Sequence, residues 1–169
     1  INDSLKKFSS ISGRELKGVN IYNDTFDVKA ETVLDPTLLL ENYDEITGIG
    51  DSKNNGELIC YKFVNSEKFF NVCRHIANEL NLKPVLLNQN RPRNGFIFRP
   101  FVTMKTWLDS LKNSSFVITD SFHCMVFAIL FNRQFIALPS HPGRVERLVS
   151  LLSKLGLKNR LYMNIEDIY

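Results

Sequence analysis

Short apolar runs alternate with longer amphipathic segments along residues 57–157. The short runs are rich in β-branched and aromatic residues and are bounded by turn-forming residues, which predicts strands. Four such runs are ELICYKFV (57–64), PVLLNQ (84–89), FVIT (116–119) and QFIALP (134–139), and a fifth short extended segment is GFIFRP (95–100).

The segments between these runs place apolar residues at every third or fourth position, which predicts helices. Ser66 and Thr103 stand at N-cap positions of two helices, and Asp120 can cap a third that ends near Phe131. A fourth helix covers 141–156, with Gly156 as its C-terminal stop. The residues expected to be buried are Phe69, Val72, Cys73, Ile76 and Leu80, then Met104, Trp107, Leu108 and Leu111, and finally Val145, Leu148, Val149, Leu152 and Leu155.

This alternation of strands and helices predicts the fold class. Right-handed crossovers place the strands in a mostly parallel sheet with helices on both faces, so we expect an α/β, Rossmann-like fold. Ligands of such sheets bind outside the carboxyl ends of the strands. Those ends fall at 65–66, 89–93, 120–123 and 139–144.

The first 50 residues are predicted to form a connector ahead of a compact unit at 51–169. A helix followed by a short strand is expected between Ser9 and Thr47, and the Gly- and Asn-rich run 48–57 indicates a surface loop. Because the chain starts at Ile1 and its opening residues carry no signal sequence, we expect it to belong to a longer protein.

Composition narrows the classes of function. Of the 169 residues, 44% are apolar and 23% are charged, an ordinary globular composition that excludes a disordered chain. The net charge of +3 is small and dispersed, so no nucleic-acid partner is expected. The three cysteines lack the spacing of a metal or disulfide framework, which predicts no metal and favours a reducing compartment. No apolar stretch approaches the ~20 residues of a membrane span.

One tetrapeptide at a predicted strand end carries the most chemistry. Asp120, Ser121 and Phe122 precede His123 where a helix begins, so unpaired backbone N–H groups there can face an anion beside an imidazole. The same residues are also explained by a simple helix cap with a packed histidine. From local chemistry alone, the two interpretations are equally open.

Basic residues near other strand ends are weaker candidates. Arg144 opens the last helix, where the helix dipole disfavours a cation, and this indicates an anionic partner or a nearby carboxylate; an exposed surface arginine is the alternative that local chemistry favours. Arg91, Arg93 and His141 are further candidates for contacts with an anion, although a solvated loop better explains the two arginines. The motifs GxGxxG, Walker A and GxSxG are absent, so the usual dinucleotide, P-loop and hydrolase hypotheses lack their defining residues.

Five segments in chain order carry a resemblance to a known family. They are ISGREL (11–16), VLDPTLLL (33–40), Trp107 with Leu108, FVITDSFHCMVFAILFNRQFIALPS (116–140) and GRVERLVSLLSKLGL (143–157). Together they resemble the polysaccharide pyruvyl transferase family, whose closing pattern is Arg-Ile-x-x-Leu-Leu-x-x-Leu-Gly. Two residues depart from the family: Ser121 stands where many members have Arg, and Cys124 replaces the usual Gly.

The resemblance implies a two-lobed, GT-B-like enzyme, of which this chain is the connector and the C-terminal lobe. Such enzymes transfer pyruvate from phosphoenolpyruvate to a sugar as a ketal, during bacterial capsule or exopolysaccharide synthesis. The acceptor would be a glycan or a lipid-linked oligosaccharide, no cofactor is implied, and the location would be cytoplasmic, with peripheral membrane association left open. Ketal formation needs acid–base catalysis, assigned to His123, and donor binding, assigned to Asp120, Ser121, Phe122, Arg144 and Arg14.

Two alternatives belong to other classes of function. A GT-B glycosyltransferase would bind a nucleotide-sugar at the same strand ends. A non-catalytic glycan-binding lobe would be supported by a buried 120–123 element with no cleft beside it.

Overall fold

The computed structural model describes residues 2–40, 42–48, 50 and 53–168, without the side chains at 2, 46, 47, 142 and 144. Within this part of the chain, helices and strands alternate, with short 3-10 turns between them. In chain order the elements are α1 (Asn2–Leu5), β1 (Ile11–Gly13), α2 (Leu16–Phe26), β2 (Ala30–Thr32), a 3-10 turn (Pro36–Leu38), α3 (Asp44–Thr47), β3 (Glu57–Tyr61), α4 (Glu67–Glu79), β4 (Lys83–Leu87), β5 (Ile97–Arg99), α5 (Met104–Asn113), β6 (Phe116–Thr119), α6 (Phe122–Leu130), β7 (Gln134–Ala137), α7 (Pro142–Lys154) and two closing 3-10 turns (Lys158–Arg160 and Ile165–Ile168).

The central sheet has five parallel strands in the order β5-β4-β3-β6-β7. Counted from β3, this is the 3-2-1-4-5 order of a doubly wound sheet, so the predicted Rossmann-like α/β fold is confirmed. The strand order reverses between β3 and β6. Loops that leave the carboxyl ends of these two strands run in opposite directions, and the crevice between them is where such folds bind ligands.

Alternating side chains of the strands build one apolar core on each face of the sheet. Leu58 and Cys60 of β3 point to the face covered by α4, and Ile59 points to the face covered by α5, α6 and α7. The period of two along a strand gives this division. Strands buried on both sides explain why their sequences are continuous apolar runs.

The connector forms a small unit of its own, in which β1 and β2 pair in parallel around α2. The predicted helix and strand correspond to α2 and β2, whereas β1 was not predicted. The 3-10 turn that follows begins at Asp35, whose side chain accepts a hydrogen bond from the Thr37 N–H (3.0 Å), and it packs against α6. The proposed division near residue 50 stays a prediction, and residues 49, 51 and 52 of the predicted loop lie outside the described residues.

Three helix boundaries agree with the sequence. Ser66 and Thr103 cap α4 and α5 by accepting hydrogen bonds from the backbone three residues on, and Gly156 has the left-handed φ of +70° that ends α7. The cap of α6 was predicted wrongly. Ser121, not Asp120, accepts the hydrogen bond from the Cys124 N–H (3.4 Å), and the helix begins at Phe122.

Three residues expected in the core are exposed instead: Leu80 (49%), Met104 (70%) and Leu155 (46%). Met104 is the first residue of α5, and Leu80 and Leu155 are the C-cap residues immediately after α4 and α7. The periodicity was therefore right inside the helices and failed at their ends.

Candidate active site

Asp120 ties together the loops that follow three neighbouring strands. It is 1% exposed, and one carboxylate oxygen accepts a hydrogen bond from the Phe63 N–H (2.9 Å) after β3. The other oxygen accepts a hydrogen bond from the Ser140 hydroxyl after β7. Both oxygens of Asp120 therefore have partners within the protein, and the residue holds the crevice in shape.

The N-terminus of α6 opens at this point. The first helical turn leaves N–H groups without intrahelical acceptors, and Ser121 satisfies only that of Cys124. His123 is the second residue of the helix, and its side chain is 51% exposed. An accessible imidazole therefore lies beside the positive end of a helix dipole. This geometry does not match the buried, closed element that a non-catalytic lobe would require.

The connector brings a buried carboxylate to the same place. Asp35 is 5% exposed, forms an ion pair with Arg14, and accepts hydrogen bonds from the N–H (3.0 Å) and hydroxyl (2.7 Å) of Thr37. Burial acts to raise the pKa of Asp35, but the hydrogen bonds from Thr37 and Arg14 outweigh it, so the pKa lies below 3.8. The ionised Oδ2 lies 3.8 Å from Nε2 of His123.

Asp35 was missed as a site residue by the sequence reasoning. Its segment, VLDPTLLL, contributes to the family resemblance but contains no pattern that predicts a site residue. The Asp-Pro-Thr order predicts a capped turn, but no local pattern shows which helix that turn contacts. The guanidinium of Arg14 forms an ion pair with Asp35, and its expected contact with the donor stays a prediction.

Arg147 of α7 is a second residue at the site that the sequence did not indicate. It lies on the same helix as the predicted Arg144. Its guanidinium lies over the ring of Phe122, 5.9 Å from the ring centre, and its Nε is 3.3 Å from Glu15. Counted back from Leu155 and Gly156, the arginine of the closing family pattern falls on Arg147 rather than Arg144. The side chain of Arg144 lies outside the described residues, so its role stays a prediction.

Two cavities share His123, Ser121 and Phe63. The smaller, of about 200 Å³, is lined also by Asp120, Phe122 and Arg147. The larger, of about 580 Å³, lies between α5, α6 and the turn after Asp35, and most of its lining is apolar. His123 therefore lines two cavities: the smaller one includes the cationic side chain of Arg147, and the larger one includes no arginine or lysine.

The remaining basic candidates lie elsewhere. Arg91 and Arg93 line a third cavity of about 360 Å³ at the ends of β3 and β4, and the structure does not bring them together with His123. Arg93 pairs with Glu67 (3.0 Å) and stacks on Phe70. His141 caps α7, where its Nδ1 accepts a hydrogen bond from the Gly143 N–H (3.1 Å). Direct anion contacts of these residues stay predictions.

Cys124 lines neither of the two cavities that His123 borders. It is fully buried in the core, and burial raises the pKa of its thiol to about 12. Among the described residues, no group of three potential ligands could hold a metal ion. The search of that same part of the chain found no helix with the length and apolar character to cross a bilayer.

Fold and site together define an α/β protein with a Rossmann-like crevice and an accessible histidine at a helix N-terminus. The family model described as polysaccharide pyruvyl transferase matches residues 1–142, most of the chain. The chain therefore belongs to the polysaccharide pyruvyl transferase family, as its resemblance predicted. The family places it in polysaccharide biosynthesis. A comparison with curated proteins gives no match.

Proposed function

We propose that this chain carries the acid–base histidine and the donor-binding groups of an enzyme that transfers pyruvate from phosphoenolpyruvate to a sugar as a ketal. The observation that carries the proposal is the position of His123, half-exposed at the N-terminus of α6, on the border of two cavities and 3.8 Å from ionised Asp35. The acceptor sugar would belong to a cell-surface polysaccharide precursor, and the reaction would take place in the bacterial cytoplasm.

The smaller cavity suits the donor. Phosphoenolpyruvate carries a carboxylate and a phosphate, and the cavity offers the first-turn N–H groups of α6 and the guanidinium of Arg147. Where many relatives place an arginine, this chain has Ser121, so Arg147 would supply the missing positive charge from α7. Asp120 contributes by holding the loops, since both of its oxygens already accept hydrogen bonds.

His123 would move the protons. Protonating the methylene carbon of phosphoenolpyruvate makes the neighbouring carbon electrophilic, and a sugar hydroxyl adds there while its proton returns to the imidazole. A second hydroxyl then displaces phosphate from the same carbon, which closes the ketal, and its proton leaves with the phosphate. A positioned acid–base group of this kind is worth typically 10²–10⁴-fold in rate.

The test replaces His123 by Ala in the complete protein and measures phosphate release from phosphoenolpyruvate with acceptor present. We expect turnover to fall by about 10²-fold or more, because, of the three described residues that line both cavities, Phe63, Ser121 and His123, only His123 has an imidazole that can exchange protons near neutral pH. His75→Ala is the matched control, since His75 is an exposed histidine on α4. Unchanged turnover in His123→Ala would remove the catalytic role.

Calorimetry separates the donor classes. Phosphoenolpyruvate should bind the chain, and Arg147→Met should weaken that binding. Saturable binding of a nucleoside diphosphate sugar, without binding of phosphoenolpyruvate, would instead support the glycosyltransferase alternative.

A further inference from the structure

Five aromatic rings form a continuous wall in the larger cavity. Tyr43 contacts Phe127, Phe127 contacts Trp107, Trp107 contacts Tyr61, and Tyr61 contacts Phe63, with ring centres 5.0–5.7 Å apart and steep angles between the planes. All five rings line the cavity of about 580 Å³. Ligand pockets of this size with mainly aromatic walls and a few polar groups are typical of sites for small organic molecules.

The lining of this cavity favours the donor less than the lining of the smaller cavity does. Besides the five rings, it is lined by Thr37, Asn88, Val102, Met104, Leu108, Ser121 and His123, which include no Lys, Arg, Asp or Glu. Phosphoenolpyruvate has two anionic groups, and moving unpaired charges from water to an apolar cavity is costly. The occupant of the larger cavity is therefore uncharged where it contacts these walls.

A few polar atoms in the lining argue against a pure hydrocarbon occupant. The indole Nε1 of Trp107 is buried, and it lacks a hydrogen-bond partner within the described part of the chain. A buried donor of this kind is expensive unless something accepts from it. Asn88 uses its oxygen to accept from the Val102 N–H (3.0 Å), so its amide NH₂ is available to a ligand as a donor.

We propose that this cavity, which we call the aromatic cavity, binds the acceptor as an uncharged pyranose ring. The C–H face of the sugar would stack on the aromatic wall, and one of its hydroxyls would accept a hydrogen bond from Asn88. The inference rests on the proposed function, because His123 borders both this cavity and the cationic one. An acceptor hydroxyl and the donor's reacting carbon then meet at the same imidazole.

The sole tryptophan makes the inference directly testable, because Trp107 contributes the one indole N–H resonance of the chain. We would titrate the ¹⁵N-labelled chain with methyl glycosides of glucose, galactose, mannose and N-acetylglucosamine, then with phosphoenolpyruvate and with 1-hexanol. At least one glycoside should shift the indole resonance saturably. Phosphoenolpyruvate should shift the backbone amides at the start of α6 and leave the indole resonance in place.

A pair of valine variants locates the binding. Val102→Phe fills the aromatic cavity and should weaken glycoside binding by about tenfold or more. Val64→Phe introduces the same change at a 61%-exposed valine outside the lining and should leave binding unchanged.

Three outcomes would overturn the inference: no saturable shift with any glycoside, a glycoside shift that Val102→Phe leaves unchanged, or a response to 1-hexanol alone. The result is separable from the proposed function. Glycoside binding without turnover of phosphoenolpyruvate in the complete protein would refute only the proposed function. Turnover with normal acceptor KM in Val102→Phe would refute only the aromatic cavity as the acceptor site.

Discussion

The carboxylate of Asp35 lies 3.8 Å from the imidazole of His123, measured from Oδ2 to Nε2. Asp35 belongs to the connector and His123 to the five-stranded unit, so this contact joins the two parts of the chain at the candidate active site. Arg14 and Thr37 hold the carboxylate from other sides. A fixed anion at this place can orient the imidazole and stabilise it when it carries a proton.

Asp35→Asn should lower kcat while leaving KM for phosphoenolpyruvate within about twofold, because Asp35 acts through His123 and not on the donor. We expect kcat to fall by about tenfold or more, as for a group that orients an acid–base residue. Steady-state phosphate release in the complete protein measures both constants. Glu31→Gln is the control, since its side chain is 71% exposed and contacts only Lys29 in the described ion pairs. A rise in KM without loss of kcat would contradict the positioning role.

Asp35 should also give the chain a pH-dependent stability. Its pKa in the folded chain is lower than the ordinary value of 3.8, so the unfolded chain binds a proton more readily in acid. The stabilisation is therefore complete well above pH 3.8 and is lost as the pH falls through and below that value. Urea unfolding at pH 7, 5 and 3 should show a smaller loss of the free energy of unfolding in Asp35→Asn than in the wild type. Parallel losses in both proteins would show that this carboxylate is not the cause.

Arg147→Met should weaken phosphoenolpyruvate binding by about tenfold, the effect of removing one charge-assisted contact to an anion. Arg160→Met is the control. The Arg160 guanidinium also lies 5.9 Å from an aromatic ring centre, that of Phe135, but it donates a hydrogen bond to Gln134 at the start of β7, the end of the strand opposite to the candidate site. Arg144→Met tests the arginine that the sequence predicted as a contact of the donor. Calorimetric titration measures all three. A loss of affinity confined to Arg144→Met would return the donor contact to that residue.

The sequence predicts the fold well because strand burial and helix periodicity are local signals. The runs that form β3, β4, β6 and β7 are mostly apolar, with polar residues only at their ends, since the middle of each strand packs into the cores on both faces of the sheet. The ends of elements are predicted less well. Met104 matches the period of α5 but is 70% exposed, because burial depends on whether the sheet extends under that position.

The site is only partly predictable for a different reason. His123 follows from a strand-to-helix turn, a local pattern at the end of β6. Asp35 reaches it from 88 positions earlier in the chain, through the packing of the turn Pro36–Leu38 against α6. No periodicity encodes such a contact. For Asp120 the local pattern predicted only a helix cap. In the structure its carboxylate instead accepts hydrogen bonds from two loops distant in sequence, those after β3 and β7.

The three cysteines should resist alkylation in the folded chain. Cys60, Cys73 and Cys124 are fully buried, and burial raises the pKa of Cys124 to about 12 and that of Cys60 well above 9.0. At pH 8 the thiolates of Cys60 and Cys124 are therefore scarce, and all three thiols are inaccessible. Mass spectrometry after iodoacetamide treatment should find no modification until urea unfolds the chain. Rapid labelling of Cys124 in the native chain would show that the start of α6 opens to solvent.

Asp120 and His123 lie three residues apart, yet only the removal of Asp120 should lower the free energy of unfolding substantially. Asp120→Ala removes the acceptor of the Phe63 N–H and of the Ser140 hydroxyl, and each part-buried hydrogen bond lost costs about 0.5–1.5 kcal/mol. His123→Ala removes a half-exposed side chain, so the free energy of unfolding should change by less than about 1 kcal/mol. Asp109→Ala is the control for loss of a carboxylate, since its hydrogen bond to Asn113 is on the exposed surface of α5. Urea unfolding at pH 7 ranks the three variants. Equal stability of Asp120→Ala and Asp109→Ala would mean that Asp120 does not hold the loops, and would leave it available to the donor as the sequence suggested.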